Sequence, residues 1–286
     1  MPDTEEARQA LYKIRTADLI SIYINWVDRF IPPRPRTPMV WGGFWTRNSP
    51  RQYANEIDQI IEIARHGRDL TPYLSSRVHT HGFVARNSDK TGIDWRDKDL
   101  ALNAYNVHHL HLTPVGSTGK RKGDSDKLLY VGVSRNELLL LMVGDHKSFN
   151  DGTLTDAVLE YRAQSGNLTM QGVAGLSDDR EPQECQKLAR HGISSASMVN
   201  GVAVMGAMIS LAGTSIDHTR YSDECCEVIE SIEEVIDDRS RLLDILNLDD
   251  GDLPPKPVWE WRFAYADLHL VDTQSKSILR VCRWRR

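Results

Sequence analysis

Apolar residues change their spacing several times along the chain, and each change predicts a different kind of element. From Thr4 to Phe30, Leu11, Ile14, Leu19, Ile22, Tyr23, Trp26 and Phe30 recur at three- and four-residue steps, with Glu5 and Glu6 in the first turn. That spacing predicts one long amphipathic helix, ended by the proline-rich run Ile31 to Pro38. Val40 to Trp45 reads as a loop or short strand, and the stripe Tyr53, Ile57, Ile60, Ile61 and Ala64 predicts a second helix from Ser49 to His66, stopped by Gly67. A short helix is expected over Asp69 to Arg77, and Gly82 to Asp94 is polar enough to predict a surface loop.

The period then becomes two. Val107 to Leu112 alternates, so that as a strand it carries Val107, His109 and His111 on one face and His108, Leu110 and Leu112 on the other. Leu128 to Ser134 and Leu138 to Val143 predict two more strands, the second apolar on both faces and therefore inside a sheet. Beyond it, helical spacing returns at Thr153 to Gln164 and Glu181 to His191. Asn200-Gly201 marks a hairpin within Ala196 to Gly206. A long helix with one acidic face is predicted from His218 to Leu246, a Pro-rich linker near Pro254, and a last hairpin from Trp259 to Val271 and Ser277 to Trp284 that is able to join the central sheet. The pattern predicts an α+β protein: a helical N-terminal section (1–95), then an α+β domain (96–286) with a central, mostly antiparallel sheet and a long helix in the C-terminal half.

Composition narrows the partners more than the fold. The 286 residues are 40% hydrophobic and 26% charged, with a formal net charge of -5, which argues against general coating of nucleic acid but leaves local basic patches open. One such patch is Lys120, Arg121 and Lys122 in the loop from Gly116 to Lys127. Four cysteines without a CxxC spacing, no signal-peptide pattern at the start, and a longest apolar run (Val202 to Gly213) well short of the ~20 residues that span a membrane all lead to the expectation of a cytoplasmic protein with no membrane role.

The candidate chemistry gathers between Tyr105 and Lys147, where four of the ten histidines fall on three consecutive predicted strands. Metal-independent RNA cleavage needs a base for a ribose 2′-hydroxyl, an acid for the leaving oxygen and cations for the phosphate. Imidazoles suit the first two roles, with an ordinary pKa of about 6.5. His109 and His111 are the expected catalytic pair, with His146 able to replace either, and Lys120, Arg121, Lys122 and Lys147 the expected substrate contacts. No cofactor is required. His108, on the leucine face, reads instead as a packed histidine.

Two other readings compete. In the first, His109, His111 and His146, joined by Asp145, ligate a divalent metal in a hydrolase, although such sites usually draw in more carboxylates. His79 and His81 repeat the same spacing in a polar setting that favours a surface turn. In the second, the chain is a non-catalytic RNA- or protein-binding module whose tryptophans stack bases and whose basic loop holds phosphate. The acidic face of the long helix is also suited to a basic partner, including the arginines at 280, 283, 285 and 286. The chain has no Walker loop, GxGxxG, GxSxG or HExxH motif. Gly116 to Lys120 reads as a flexible basic loop, and Leu211 to Ser215 as a tight backbone approach or cap with no identifiable base beside Ser215, although His218 is near in sequence.

The phrases INWVDRFIPPRPR (Ile24 to Arg36), DLTPYLSSRVHTHGF (Asp69 to Phe83) and DLALNAYNVHHLHL (Asp99 to Leu112), followed by LLYVGVSRNELLLLMVGDH, resemble an uncharacterised bacterial protein family with an LLNDW-x-IHHLHL-like motif. Leu102, Asn103, His108, His109, Leu110, His111, Leu112 and His146 carry the match, while Ala104 and Tyr105 depart from its acidic and tryptophan positions. The family brings no activity with it. At fold level the succession of strands ending in basic and histidine residues is similar to the RelE-like ribonuclease toxins. That likeness implies an endoribonuclease-like role as a bacterial toxin or defence effector, with RNA and a protein partner or antitoxin as partners.

Overall fold

A computed structural model describes residues 4–80, 98–116 and 126–284. In chain order the elements are α1 (Glu5–Tyr12), α2 (Thr16–Val27), β1 (Thr37–Val40), α3 (Ala54–Arg65), α4 (Arg77–Thr80), α5 (Leu100–Tyr105), β2 (His108–His111), β3 (Lys127–Val133), β4 (Glu137–Asp145), α6 (Thr153–Ser165), α7 (Pro182–Arg190), β5 (Ala196–Val199), β6 (Val202–Met205), α8 (Ile216–Glu233), α9 (Arg239–Leu246), β7 (Trp259–Ala264), β8 (Asp267–Asp272) and β9 (Ile278–Cys282). The protein is of the α+β class. Its chain contacts separate into two compact units, Arg29–Ile216 on one side and Pro2–Asp28 with Asp217–Arg285 on the other. The separation therefore falls at two chain crossings, after Asp28 and after Ile216, rather than at residue 95.

The first unit is built on a four-stranded sheet ordered β1-β4-β3-β2. β2 and β4 run antiparallel to β3, and β1 runs parallel to β4, so the sheet is mixed. β1 carries Pro38, which donates no ladder hydrogen bond and is tolerated because β1 is an edge strand. β4 lies inside the sheet, as its two apolar faces require. One face packs Leu110, Leu112, Leu129, Val131, Leu138 and Leu140 against Ile57, Ile60 and Ala64 of α3. The other packs Val107, Leu128, Tyr130 and Met142 against α5 and against Leu154, Ala157 and Val158 of α6. Each buried aliphatic side chain in these layers contributes about 1.5–3 kcal/mol of transfer free energy.

Between β3 and β4 the register passes from Tyr130↔Met142 to Val131↔Leu140, leaving Leu141 as an extra residue. This bulge reverses the parity of β4: Leu138 and Leu140 face α3 before it, whereas Val143 does so after it. A hairpin of β5 and β6 completes the unit, turning at Asn200 and Gly201 with φ of 50° and 80°, the left-handed pair expected of an Asn-Gly turn.

In the second unit β7, β8 and β9 form a three-stranded antiparallel sheet of their own. Ile20, Ile24 and Val27 of α2 and Tyr221 and Cys225 of α8 pack on Leu268, Cys282 and Trp284.

Several expectations change. The first helix is broken into α1 and α2 around Lys13 to Arg15, and the long acidic helix ends at Glu233. Asp238 restarts it as α9, its carboxylate accepting from the backbone N–H groups of Ser240 and Arg241. The terminal hairpin is a three-stranded meander, because Tyr265 adopts φ of 50° and turns the chain inside Trp259 to Val271. It does not join the central sheet. The polar loop 82–94 lies outside the described residues. No helix among the described residues is long and apolar enough to cross a membrane.

Candidate functional site

The histidine strand is positioned from both of its ends. Asp99 caps α5 by accepting from the Leu102 N–H at 3.1 Å, and Asn106 closes the helix in the left-handed region with φ of 61°, turning the chain into β2. Antiparallel pairing then sets His109 opposite Tyr130 and His111 opposite Leu128. At the far end of β4, Asp145 caps the turn His146 to Phe149: its carboxylate accepts from the Lys147 N–H at 2.8 Å, and its own N–H donates to Ser148 Oγ at 3.2 Å. Tyr130 donates its phenolic O–H to the Asp145 carbonyl at 2.8 Å, tying the strand to the turn. Gly144 leaves room for this junction, since a Cβ there would come within 2.6 Å of Ser148 Oγ and 2.9 Å of the Tyr130 ring.

Two imidazoles, His109 and His146, thereby meet at Phe149, and His111 lies against His146. The Phe149 ring centroid lies 5.2 Å from His109, edge to face, and 6.3 Å from His146, nearly parallel. His111 and His146 are 5.7 Å apart, and His109 is 6.5 Å from Tyr130. Exposure differs: the His109 side chain is 14% accessible and His111 8%, whereas His146 and Lys147 are exposed at the rim. His108 lies buried on the opposite face of the strand, as expected.

The charges in this patch are coupled. His109 Nδ1 lies 3.2 Å from Asp99 Oδ2, but the ring N–H is not aligned for a well-formed hydrogen bond. Burial alone disfavours the charged form of both groups; their attraction and contact outweigh it, holding Asp99 below the ordinary carboxylate range and His109 above the ordinary imidazole range. His146 moves the other way. Desolvation is the largest cause and the charge of His109 the next; with a smaller contribution from Arg77 they outweigh Asp126 and Asp145, which favour protonation. Burial first, then the charges of Asp99 and Asp145, push the Tyr130 phenol up.

His109, His111 and His146 are therefore brought together, and Lys147 adjoins them on the same turn. Lys120, Arg121 and Lys122 lie outside the described residues, as does His81. Asp145 serves as a cap and pairs with Lys127 at 3.5 Å. Among the described residues no three His, Cys, Asp or Glu side chains are gathered as a metal site. Ser215 is buried, and His218 is engaged by Asp28. Trp41 and Trp284 are buried in the apolar cores rather than offered as stacking faces. Asp99, Tyr130 and Phe149 were not legible as partners of the histidines. Asp99 had one signal, an acidic residue immediately before a short apolar helix.

No protein-family model, curated protein or solved structure matches this chain.

Proposed function

We propose that the histidine patch is a metal-independent endoribonuclease site working by acid/base chemistry. One observation carries the reading: two imidazoles that share contact with one aromatic ring are displaced in opposite directions, His109 toward the protonated form and His146 toward the neutral form. Environments that push two titrating groups apart assign an acid and a base. His146, accessible and neutral, takes the proton of a ribose 2′-hydroxyl. The 2′-oxygen attacks phosphorus, the bond to the 5′-oxygen breaks, and protonated His109 supplies the proton to that leaving oxygen. The products are a 2′,3′-cyclic phosphate and a 5′-hydroxyl. Lys147, and the basic stretch Lys120 to Lys122, supply charge for the phosphate. His111, with 8% exposure, packs beside His146 and supports the pair rather than supplying its base. A bacterial toxin or defence effector is the setting that the RelE-like resemblance suggests.

The test is incubation of the purified protein with total and ribosome-bound RNA, with and without EDTA, beside the double variant His109→Ala/His111→Ala. Cleavage that survives EDTA and disappears in the variant supports the reading. Loss of cleavage in EDTA favours the metal-dependent alternative. A second reading, a non-catalytic RNA- or protein-binding module, is favoured by the near-complete burial of His111 and gains if neither condition gives cleavage.

A further inference from the structure

We propose that Asp99 is the positioning residue of this patch: it holds Nδ1 of His109, fixes the imidazole in one tautomer, and makes Nε2 the nitrogen that works on substrate. The inference rests on the ribonuclease reading for its kinetic consequence only.

The two carboxylate oxygens are divided between two tasks. Oδ1 accepts from the Leu102 N–H at the start of α5, and Oδ2 faces His109 Nδ1 at 3.2 Å. The Asp99 carbonyl also accepts from the Asn103 N–H at 2.8 Å, so the residue is anchored by backbone as well as by side chain. Asp99 is 16% exposed and His109 14%, which leaves little water to compete for their contact. A carboxylate at this pH only accepts, so the neutral imidazole facing it carries its proton on Nδ1. Nε2 is then an acceptor when the ring is neutral and a donor when it is protonated. It makes no hydrogen bond to another described residue.

The ring itself has little freedom. Phe149 meets it edge-on at 88° and Tyr130 lies opposite it in the sheet, so rotation about its bond to the strand is blocked on two sides. Asp99 supplies the remaining constraint, the choice of nitrogen. Among the described residues the titratable groups bearing on the pair are His108, which acts on Asp99, Tyr130, on which Asp99 acts, and His146, which His109 acts upon. The imperfect alignment of the N–H with Oδ2 fits a contact that tightens once substrate orders the site.

A residue that merely capped α5 would leave the tautomer of His109 unaffected, and this separates the two roles. Asn is as good a helix cap as Asp, so Asp99→Asn keeps the acceptor for Leu102 and removes the charge facing Nδ1. Long-range proton–nitrogen NMR of the full chain across pH 5–9 reads both the tautomer and the titration midpoint of His109. In the wild type the expected form is Nδ1–H, with a midpoint above the ordinary imidazole range. In Asp99→Asn the midpoint falls and the Nε2–H form grows. A wild-type ring found as Nε2–H overturns the proposal outright, without any variant, and so does an unchanged midpoint in a folded Asp99→Asn protein. In the cleavage assay Asp99→Asn is expected to lower kcat at least 10-fold with KM little changed, and to move the alkaline limb of the pH profile down. If the wild type cleaves nothing, the ribonuclease reading fails while the NMR result still decides the role of Asp99. Asp99→Ser, a second capping residue too short to reach the ring, should reproduce the Asn result.

Discussion

Among the described residues two histidine–aspartate pairs are in close contact, one in each unit, and they are built for different ends. In the second unit His218 Nε2 lies 2.9 Å from Asp28 Oδ2, while the other oxygen of Asp28 accepts from the Trp284 indole N–H at 3.2 Å. The His218 side chain is wholly inaccessible and that of Asp28 is 9% exposed. The Tyr221 ring lies tilted against Trp284 with centroids 4.8 Å apart and its hydroxyl donates to the Ala266 carbonyl, closing the surroundings. Every feature ties α2, α8 and the end of the chain together. In the first unit the His109–Asp99 contact is longer, imperfectly aligned and placed beside two more imidazoles, one of them at the rim. The shorter and more deeply buried pair is the worse candidate for chemistry, because a side chain wholly inaccessible to solvent has no face left for a substrate. Residue type alone does not separate a tie from a site; burial, alignment and company do.

Replacing each histidine by alanine in turn separates the tie from the site. His218→Ala takes one partner from the buried Asp28 carboxylate, which still accepts from the Trp284 indole N–H, and breaking a buried pair costs about 3–5 kcal/mol. Urea unfolding of the full chain should show that loss, while cleavage per folded molecule stays unchanged. His109→Ala should do the reverse. Cleavage should fall by about 10²- to 10⁴-fold, the usual worth of a general acid. Stability should fall by only about 1–2 kcal/mol, since Asp99 keeps its place at the start of α5. If His218→Ala costs less than His109→Ala in stability, the distinction between tie and site collapses.

These contrasts mark where the sequence was legible. The shared face of His109 and His111 follows from the period of two along β2, and the delivery of His146 follows from the length of the apolar run before it; neither needs long-range information. Asp99 reaches the patch because Asn106 turns the chain from α5 into β2, Phe149 through a turn beyond β4, and Asp28 meets His218 from 190 residues away. Contacts of that kind depend on how elements pack, which spacing along one element does not encode. The fold divides similarly. Helical spacing located α3 and α6, and the Asn200-Gly201 dipeptide located the hairpin. The extra residue Leu141, the edge strand with a proline and the turn at Tyr265 break local rules, and tertiary pairing carries them.

A smaller effect separates the rim from the interior of the patch. Lys147 is exposed beside His146 and touches the phosphate only as a point charge in the proposed site. Lys147→Ala should weaken RNA binding equally for all sequences and reduce the slope of log affinity against log salt by about 1, with stability within about 0.5 kcal/mol of wild type. A filter-binding titration at several salt concentrations measures the slope. An unchanged slope removes Lys147 from the phosphate path and leaves that role to Lys120, Arg121 and Lys122.

The smallest effect tests the charge coupling directly. The folded pKa of His109 is raised, so its stabilising contribution is complete below the unfolded value of about 6.5 and is lost as pH rises through the folded value. The folded pKa of Asp99 is lowered, so its contribution is complete above about 3.9 and is lost as pH falls through the folded value. Both groups are charged together in the window between, near pH 5–6. The stability difference between wild type and His109→Ala should therefore be larger at pH 6 than at pH 9, toward which the imidazole gives up its proton. Asp99→Asn should flatten this difference, because it removes the charge that favours the imidazolium. Because the pair is mostly shielded from water but imperfectly aligned, the change across that range should be no more than about 1 kcal/mol. Urea unfolding at the two pH values resolves it when each variant is compared with wild type at the same pH. A difference that grows toward pH 9 would mean that the neutral imidazole is the form the fold stabilises, and His109 would then have to exchange roles with His146 as base.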